Sequence, residues 1–286
     1  MSTLEHRTVF MSGGSRGIGL AIAERLAGAG ASIAFVAKTD APHPSLPGTV
    51  HTAAERIEAA GGRALPIVGD IRDGAAVERA VAETVATFGG IDVCINNASA
   101  IDLSPMGELS LKRYDLMQAV NHRGTFVVTK ACLPHLRRSD HAHVLSISPP
   151  LDVAPRWLAG NAAYTLSKYG MTMLTLGLAA DEPTIAANCL WPRTAIQTSA
   201  VQNLLGGDAT MARARTTEIV ADAALEILRR EPQARTGRAL IDDEVLIEAG
   251  ATDLGRYHPD GAATALEPDF FIDEVPDEAT LRAALA

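Results

Sequence analysis

The 286-residue chain is long enough for one large α/β domain or at most two small ones, and with 47% hydrophobic but only 4% aromatic residues its core must be built from Ala, Val, Leu and Ile. A formal net charge of -9 with a pI near 5.4 argues against nucleic acid or an anionic membrane as the main partner. No apolar run approaches the ~20 residues of a membrane span, M-S-T-L-E-H-R-T lacks a signal core, and Cys94, Cys132 and Cys189 lie scattered in apolar segments with no metal-ligating cluster, so a cytoplasmic protein with free thiols and no metal is expected.

Arg7 to Met11 reads as a strand, followed by S-G-G-S-R-G-I-G and a helical pattern through Ile18, Ala21, Ile22 and Leu26. Strand, glycine loop, helix is the context in which backbone approaches a pyrophosphate and a helix N-terminus offers free N–H donors. The spacing of Gly13, Gly17 and Gly19 is G-x-x-x-G-x-G, not the commoner G-x-G-x-x-G, and a glycine turn without ligand is the plainer reading of the loop alone. Ser32 to Ala37 is the second predicted strand. In such folds its end meets the adenosine ribose, where an acidic residue would accept from the 2′-hydroxyl of NAD. Lys38 stands there instead, with Arg16 in the loop, and two cations favour the 2′-phosphate of NADP(H) over NAD(H), although Asp40 lies close by.

Ala41 to Gly48, with Pro42, Pro44 and Pro47, is expected to be a stiff loop bordering the cofactor, before a helix from about Val50 to Ala60. A strand from Ala64 to Gly69 ends in Asp70 and Ile71, at the ligand edge of a doubly wound sheet. Asp70 is a candidate for the adenine amino group, and Asp73 is the better helix cap. After a helix from Ala75 to Phe88 comes the strand Ile91 to Ile95 and N-N-A-S, where Asn96 suits a structural tie and Ala98 leaves room for a flat ligand. A long helical region from Leu109 to Leu136 carries Asn121, a lone polar residue that needs a partner. His143 to Ile147 is the fifth strand, ending at Ser148-Pro149-Pro150; Ala186 to Trp191 is the sixth and Ala239 to Asp242 the seventh, with helices between Thr194 and Arg230.

Between the fifth and sixth strands, N-A-A-Y-T-L-S-K-Y-G places Tyr164 four residues ahead of Lys168 on a helix, one above the other on the same face. A cation beside a phenol favours its ionised form and draws its pKa toward neutrality, making Tyr164 a candidate acid or base. A tyrosine with a surface lysine partner is the blander reading of Y-x-x-x-K by itself.

In order along the chain, S-G-G-S-R-G-I-G, Asp70, N-N-A-S, Asn121, Y-T-L-S-K and W-P-R-T-A-I-Q-T resemble the short-chain dehydrogenase/reductase family over roughly residues 7 to 250. The resemblance implies a single Rossmann-type doubly wound α/β domain, with a seven-stranded parallel sheet flanked by helices and a small helical region over the substrate. Residues 1–250 would form that catalytic domain, and 251–286 an extension packed on it or on a neighbouring subunit. It implies hydride transfer between nicotinamide and a carbonyl carbon, with Tyr164 moving the proton, Lys168 lowering the tyrosine pKa and holding the ribose, Asn121 anchoring a water, and Ser148 orienting the substrate. Gly13, Ser15, Arg16, Gly17, Ile18, Gly19, Lys38, Asp70, Ile71, Asn97 and Ala98 would hold the dinucleotide, with Pro192 and Thr194 near the carboxamide. A homo-oligomer, dimer or tetramer, is implied through the long helices.

Two departures stand out. The family's orienting serine is the second residue of an I-S-S run thirteen before the tyrosine, yet the run here is I-S-P and position 151 is Leu151; proline donates no hydrogen bond. Arg193 stands where glycine is common, and either closes on the cofactor phosphates, meets an acidic substrate group, or faces solvent. Ile196, Val201, Leu204, Leu205, Trp157, Leu158 and Trp191 suggest a small apolar, lipid- or steroid-like alcohol or ketone. The reading from a different class is a dinucleotide-binding regulatory or scaffold protein whose chemistry was lost with the serine.

Overall fold

A computed structural model describes residues 4–42, 48–258 and 265–285. Pro44 and Pro47 of the expected stiff loop, and Pro259 of the tail, lie outside the described residues.

Seven strands, β1 (Thr8–Ser12), β2 (Ser32–Ala37), β3 (Arg63–Val68), β4 (Val93–Asn96), β5 (His143–Ile147), β6 (Ala186–Trp191) and β7 (Ala239–Ile241), form one sheet in the order β3-β2-β1-β4-β5-β6-β7, every neighbouring pair parallel. The chain first winds outward from β1 to β3 and then returns to β4 on the other side of β1. That reversal is the switch point, whose crevice lies at the carboxyl ends of β1 and β4.

The helices are α1 (Gly17–Ala27), α2 (Val50–Ala59), α3 (Gly74–Phe88), α4 (Leu111–Val120), α5 (His122–Leu136), α6 (Pro155–Leu158), α7 (Ala162–Asp181), α8 (Ser199–Leu204), α9 (Gly207–Met211), α10 (Glu218–Leu228), α11 (Asp242–Glu248) and α12 (Glu278–Leu285). Both faces of the sheet are covered, so β1, β4, β5 and β6 are buried throughout and read as apolar runs, not as alternations. On one face Val9, Met11, Ile33 and Phe35 pack with α1, α2 and α10; on the other Phe10, Ala34 and Cys94 pack with α3 and α5.

Local chemistry sets the boundaries. Asp73 caps α3, its carboxylate accepting from the N–H groups of Ala75 and Ala76 at 3.0 and 3.2 Å. Gly89 closes that helix at φ 94°. The long helical region expected from Leu109 to Leu136 consists of two helices. At the joint Asn121, φ -70° and ψ -85°, turns its side chain onto backbone outside the helix. No helix among the described residues is long and apolar enough to cross a membrane.

Candidate active site

The glycine loop sits at the carboxyl end of β1 and is shaped by contact. A Cβ on Gly19 would lie 2.2 Å from the Gly13 carbonyl and 2.4 Å from Asn97 Nδ2; one on Gly13 would lie 2.9 Å from Ala98 Cα. Gly13 and Gly17 also hold positive φ, 78° and 53°. No side chain caps the N-terminus of α1, no acidic residue lies in its first turn, and the loop contributes Ser15, buried, together with Ile18. Free N–H groups at the positive end of a helix suit a pyrophosphate, so these residues fit the dinucleotide.

Asn97 differs from the expectation in how it serves. Its amide donates to the Gly13 carbonyl at 2.7 Å, so it buttresses the loop from behind. Asn96, fully buried, ties β4 to Thr129 and Ser146 at 2.9 and 3.3 Å. Ile71 turns away from the crevice, packing beside Gly124 of α5.

At the end of β2, Arg16 Nη2 donates to Thr39 Oγ1 at 2.5 Å and to the Gly48 carbonyl at 3.3 Å, gathering a guanidinium, a hydroxyl and Lys38 on one rim. The Lys38 ammonium stands 3.4 Å from Asp70, while Asp40 is engaged by His51 at 2.8 Å. The Arg72 guanidinium, with Lys38 beyond it, holds the Asp70 carboxyl well below the usual carboxylate range. Asp70, expected at the adenine amino group, is thus already paired, because Arg72 two residues on bends back to it.

Tyr164 and Lys168 share the buried face of α7, at 5% and 3% exposure. Lys168 Nζ donates to the Ile147 carbonyl at the end of β5 at 3.0 Å and lies 5.1 Å from the Trp191 ring centroid. Burial draws the Lys168 pKa down to about 8, opposed by the Asp269 carboxylate. The phenol goes the other way from the expectation. Burial, with the Asp269 charge adding to it, pushes the Tyr164 pKa up, and Lys168 donates to a backbone carbonyl.

Asn121 is fully buried, its amide donating to the Ala100 carbonyl at 3.0 Å and Ser167 Oγ at 2.8 Å while its carbonyl accepts from Ala100 N–H at 2.7 Å. Its side chain therefore clamps the segment after β4 onto α7. Ser148, expected to orient the substrate, has no exposed surface, and its hydroxyl has no hydrogen-bond partner among the described residues.

What covers Tyr164 is the stretch left outside the expected pattern, the tail. Residues 267 to 269 lie antiparallel beside 193 to 195: Thr194 bridges Pro268, Ala195 N–H donates to the Glu267 carbonyl at 2.9 Å, and Asp269 N–H donates to the Arg193 carbonyl at 3.0 Å. Thr194 and Pro192, expected near the carboxamide, are buried beneath this pairing. Phe271 then stacks on Tyr164 (centroids 6.3 Å apart, 22° between planes), Phe270 meets it edge-on at 6.1 Å, and Trp191 Nε1 donates to the Phe270 carbonyl at 2.7 Å. Composition and periodicity carried no signal for these contacts; the unusual density of aromatics in P-D-F-F-I-D-E, in a chain so poor in them, was the available clue. Arg193 meets none of the expected fates. It is buried against Asp243 at 2.8 Å and Glu244 at 2.5 Å, with Arg215 joining Asp243 at 3.0 Å.

Residues 7–206 match the family model for short chain dehydrogenases, and the chain belongs to that family, as an oxidoreductase whose family binds NAD(P). Curated relatives include hydroxysteroid dehydrogenase-like protein 2 of Rattus norvegicus, 50% identical over 94% of this chain, and of Homo sapiens, 48% identical over 94%. This chain spans 51% and 64% of their respective lengths. Among solved structures, a short chain dehydrogenase from Mycobacterium thermoresistibile is 51% identical with a TM-score of 0.91, covering 97% of this chain and 99% of that one. Another from Burkholderia cenocepacia, in complex with NADP, is 30% identical with a TM-score of 0.71, covering 83% of this chain and 96% of that one.

Proposed function

We propose that this chain is an NADP(H)-dependent reductase interconverting a secondary alcohol and a ketone, with Tyr164 as acid and base and an apolar, lipid- or steroid-like substrate. The observation that carries the reading is the burial of Tyr164 and Lys168 side by side at the sheet edge that also holds the glycine loop. Bound nicotinamide supplies or accepts the hydride. A phenol held above its ordinary pKa keeps its proton at neutral pH and gives it up only as negative charge grows on the substrate oxygen. Lys168 is the cation in reach of the resulting phenolate and, on its flexible stem, of a ribose hydroxyl. Arg16, Lys38 and Thr39 support the 2′-phosphate, and the Burkholderia cenocepacia relative, solved in complex with NADP, agrees with that choice.

An apolar substrate is supported by the surroundings of Tyr164, where Phe270 and Phe271 pack on the phenol and Trp157 and Trp191 pack in turn on Phe271. A homo-oligomer, dimer or tetramer, is supported by an apolar recess of about 300 Å³ between α5 and α7, bordered by exposed Phe126, Met173 and Leu174. Three buried free thiols suit a reducing compartment such as the cytoplasm.

Tyr164→Phe tests the reading. Turnover of a ketone panel with NADPH should fall on the order of 10³-fold while NADPH affinity, followed by its fluorescence, stays within twofold. Undiminished turnover would defeat it.

A further inference from the structure

Within the site just proposed, what bears on the acid and base is aromatic. No hydrogen bond holds the Tyr164 hydroxyl among the described residues, and Lys168 Nζ donates to the Ile147 carbonyl. The phenol ring, by contrast, is packed on its face and at its edge. Phe271 lies nearly parallel to it, 22° between planes and 6.3 Å between centroids, and Phe270 meets it at 80° and 6.1 Å. Both are arrangements that aromatic quadrupoles favour. Both rings come from the tail, beyond the residues 7–206 that match the family model. The plane of the phenol matters because its O–H lies in that plane, where the oxygen lone pair conjugates with the ring. The torsion about Cβ–Cγ therefore sets the direction in which the proton leaves. For an aromatic side chain that torsion is broad, whereas catalytic geometry must be held to about 10–20°; packing supplies the restraint.

The packing rings are themselves fixed. Phe271 holds φ 70°, a left-handed conformation costly for an aromatic residue, which persists only where the surroundings over-determine it. They do so here: the rings of Trp157, Tyr169 and Trp191 stand 5.8, 5.1 and 5.9 Å from its centroid. Each of those is tied in turn, Trp157 Nε1 donating to Asp152 at 2.9 Å, Tyr169 Oη to the Asp152 carbonyl, and Trp191 Nε1 to the Phe270 carbonyl at 2.7 Å. Before the turn, Asp269 N–H is bonded to the Arg193 carbonyl; after it, Asp273 pairs with Arg156 at 2.7 Å. The cluster takes both of the chain's tryptophans, two of its four tyrosines and two of its six phenylalanines. Burying a tail needs only apolar bulk at an ordinary φ. A flat ring held nearly parallel to the phenol at a strained one is a more particular arrangement.

We propose that Phe271, with Phe270 edge-on beside it, is a positioning residue for the acid and base: the tail clamps the Tyr164 ring and so fixes the direction in which its proton is delivered. Phe271 exchanges no atom in the reaction and acts only through the phenol. The proton still passes between Tyr164 and the substrate oxygen, and the hydride between nicotinamide and carbon.

The inference rests on Tyr164 being the acid and base, and the test separates the two. The chain has four tyrosines, so in protein labelled with ¹³C at the tyrosine ε carbons the Tyr164 signals are those missing from Tyr164→Phe. A clamped ring flips slowly and gives two ε signals. In Phe271→Ala and Phe271→Gly, where the flat face is gone, they should merge into one. With acetophenone and NADPH, both variants should lose kcat on the order of 10- to 10²-fold, while NADPH affinity stays within twofold. Glycine suits φ 70° and relieves the turn, so Phe271→Gly removes the ring without straining the tail. A tail that merely packs would instead give a lower melting temperature with kcat and the ε signals unchanged. A single merged signal in the wild type, a pair that survives in either variant, or kcat kept within twofold by either one overturns the proposal. If wild-type protein reduces no acetophenone, or Tyr164→Phe reduces it undiminished, the acid–base reading is what fails, and the ε signals decide the clamp by themselves.

Discussion

Lys38 illustrates how a side chain's place along the chain can be legible while its setting is not. Its position after β2 and its partnership with Arg16 follow from order along the chain, but its 3.4 Å approach to Asp70 does not. That pair is largely exposed, at 62% and 28%, and exposed pairs contribute little. A doubly charged phosphate should therefore compete well for Lys38. Lys38→Ala is expected to weaken NADPH binding by ~1.5–3 kcal/mol, about 10- to 150-fold, and NADH binding hardly at all. Fluorescence titration of both cofactors measures this, and equal losses would mean that Lys38 does not bind the phosphate. Ser148 shows the opposite limit: its hydroxyl was visible in the sequence, but that it would be fully buried without a partner was not.

Among the elements, the glycine loop was the most legible, since its demands are local. Gly19 has the tightest fit of the three, and Gly19→Ala drives a methyl into the Gly13 carbonyl and the Asn97 amide that supports it. Overpacking of this kind costs about 1–3 kcal/mol. The variant should melt at a lower temperature and bind both dinucleotides more weakly; a parent-like melting curve with parent-like affinity would mean the loop yields without cost. The break between α4 and α5 was hidden because the apolar periodicity runs through it. Only the segment after β4, carrying Ala100 to Asn121, reveals why the backbone bends there.

At the level of the whole molecule, buried titratable groups set a pH window. His143, at 2% exposure, has Nε2 on the Arg230 carbonyl and no partner for Nδ1, and burial with His141 nearby draws its pKa down to about 4. A depressed folded value means its contribution is present above ~6.5 and is lost as pH falls through about 4. Asp269 and Asp242 have the reverse sign: raised folded values contribute below the ordinary carboxylate range and lose that contribution as pH rises through about 7. Stability should accordingly decline on both sides. His143→Gln should flatten the acid limb between pH 6.5 and 4 by on the order of 2–3 kcal/mol in denaturant titrations; an unchanged limb would assign acid sensitivity to other groups.

The order of strands and helices, the cofactor loop and the tyrosine–lysine pair were determined by the sequence itself, because hydrophobic period, glycine placement and i, i+4 spacing are geometry written over a few residues. The tertiary structure alone decided that the tail folds back along Arg193 to Ala195, that two phenylalanines close over the phenol, and that Arg193 is consumed by Asp243 and Glu244. These contacts join segments far apart in the chain, and no short-range pattern specifies them; they follow from which apolar surface remains uncovered once the sheet and its helices have packed.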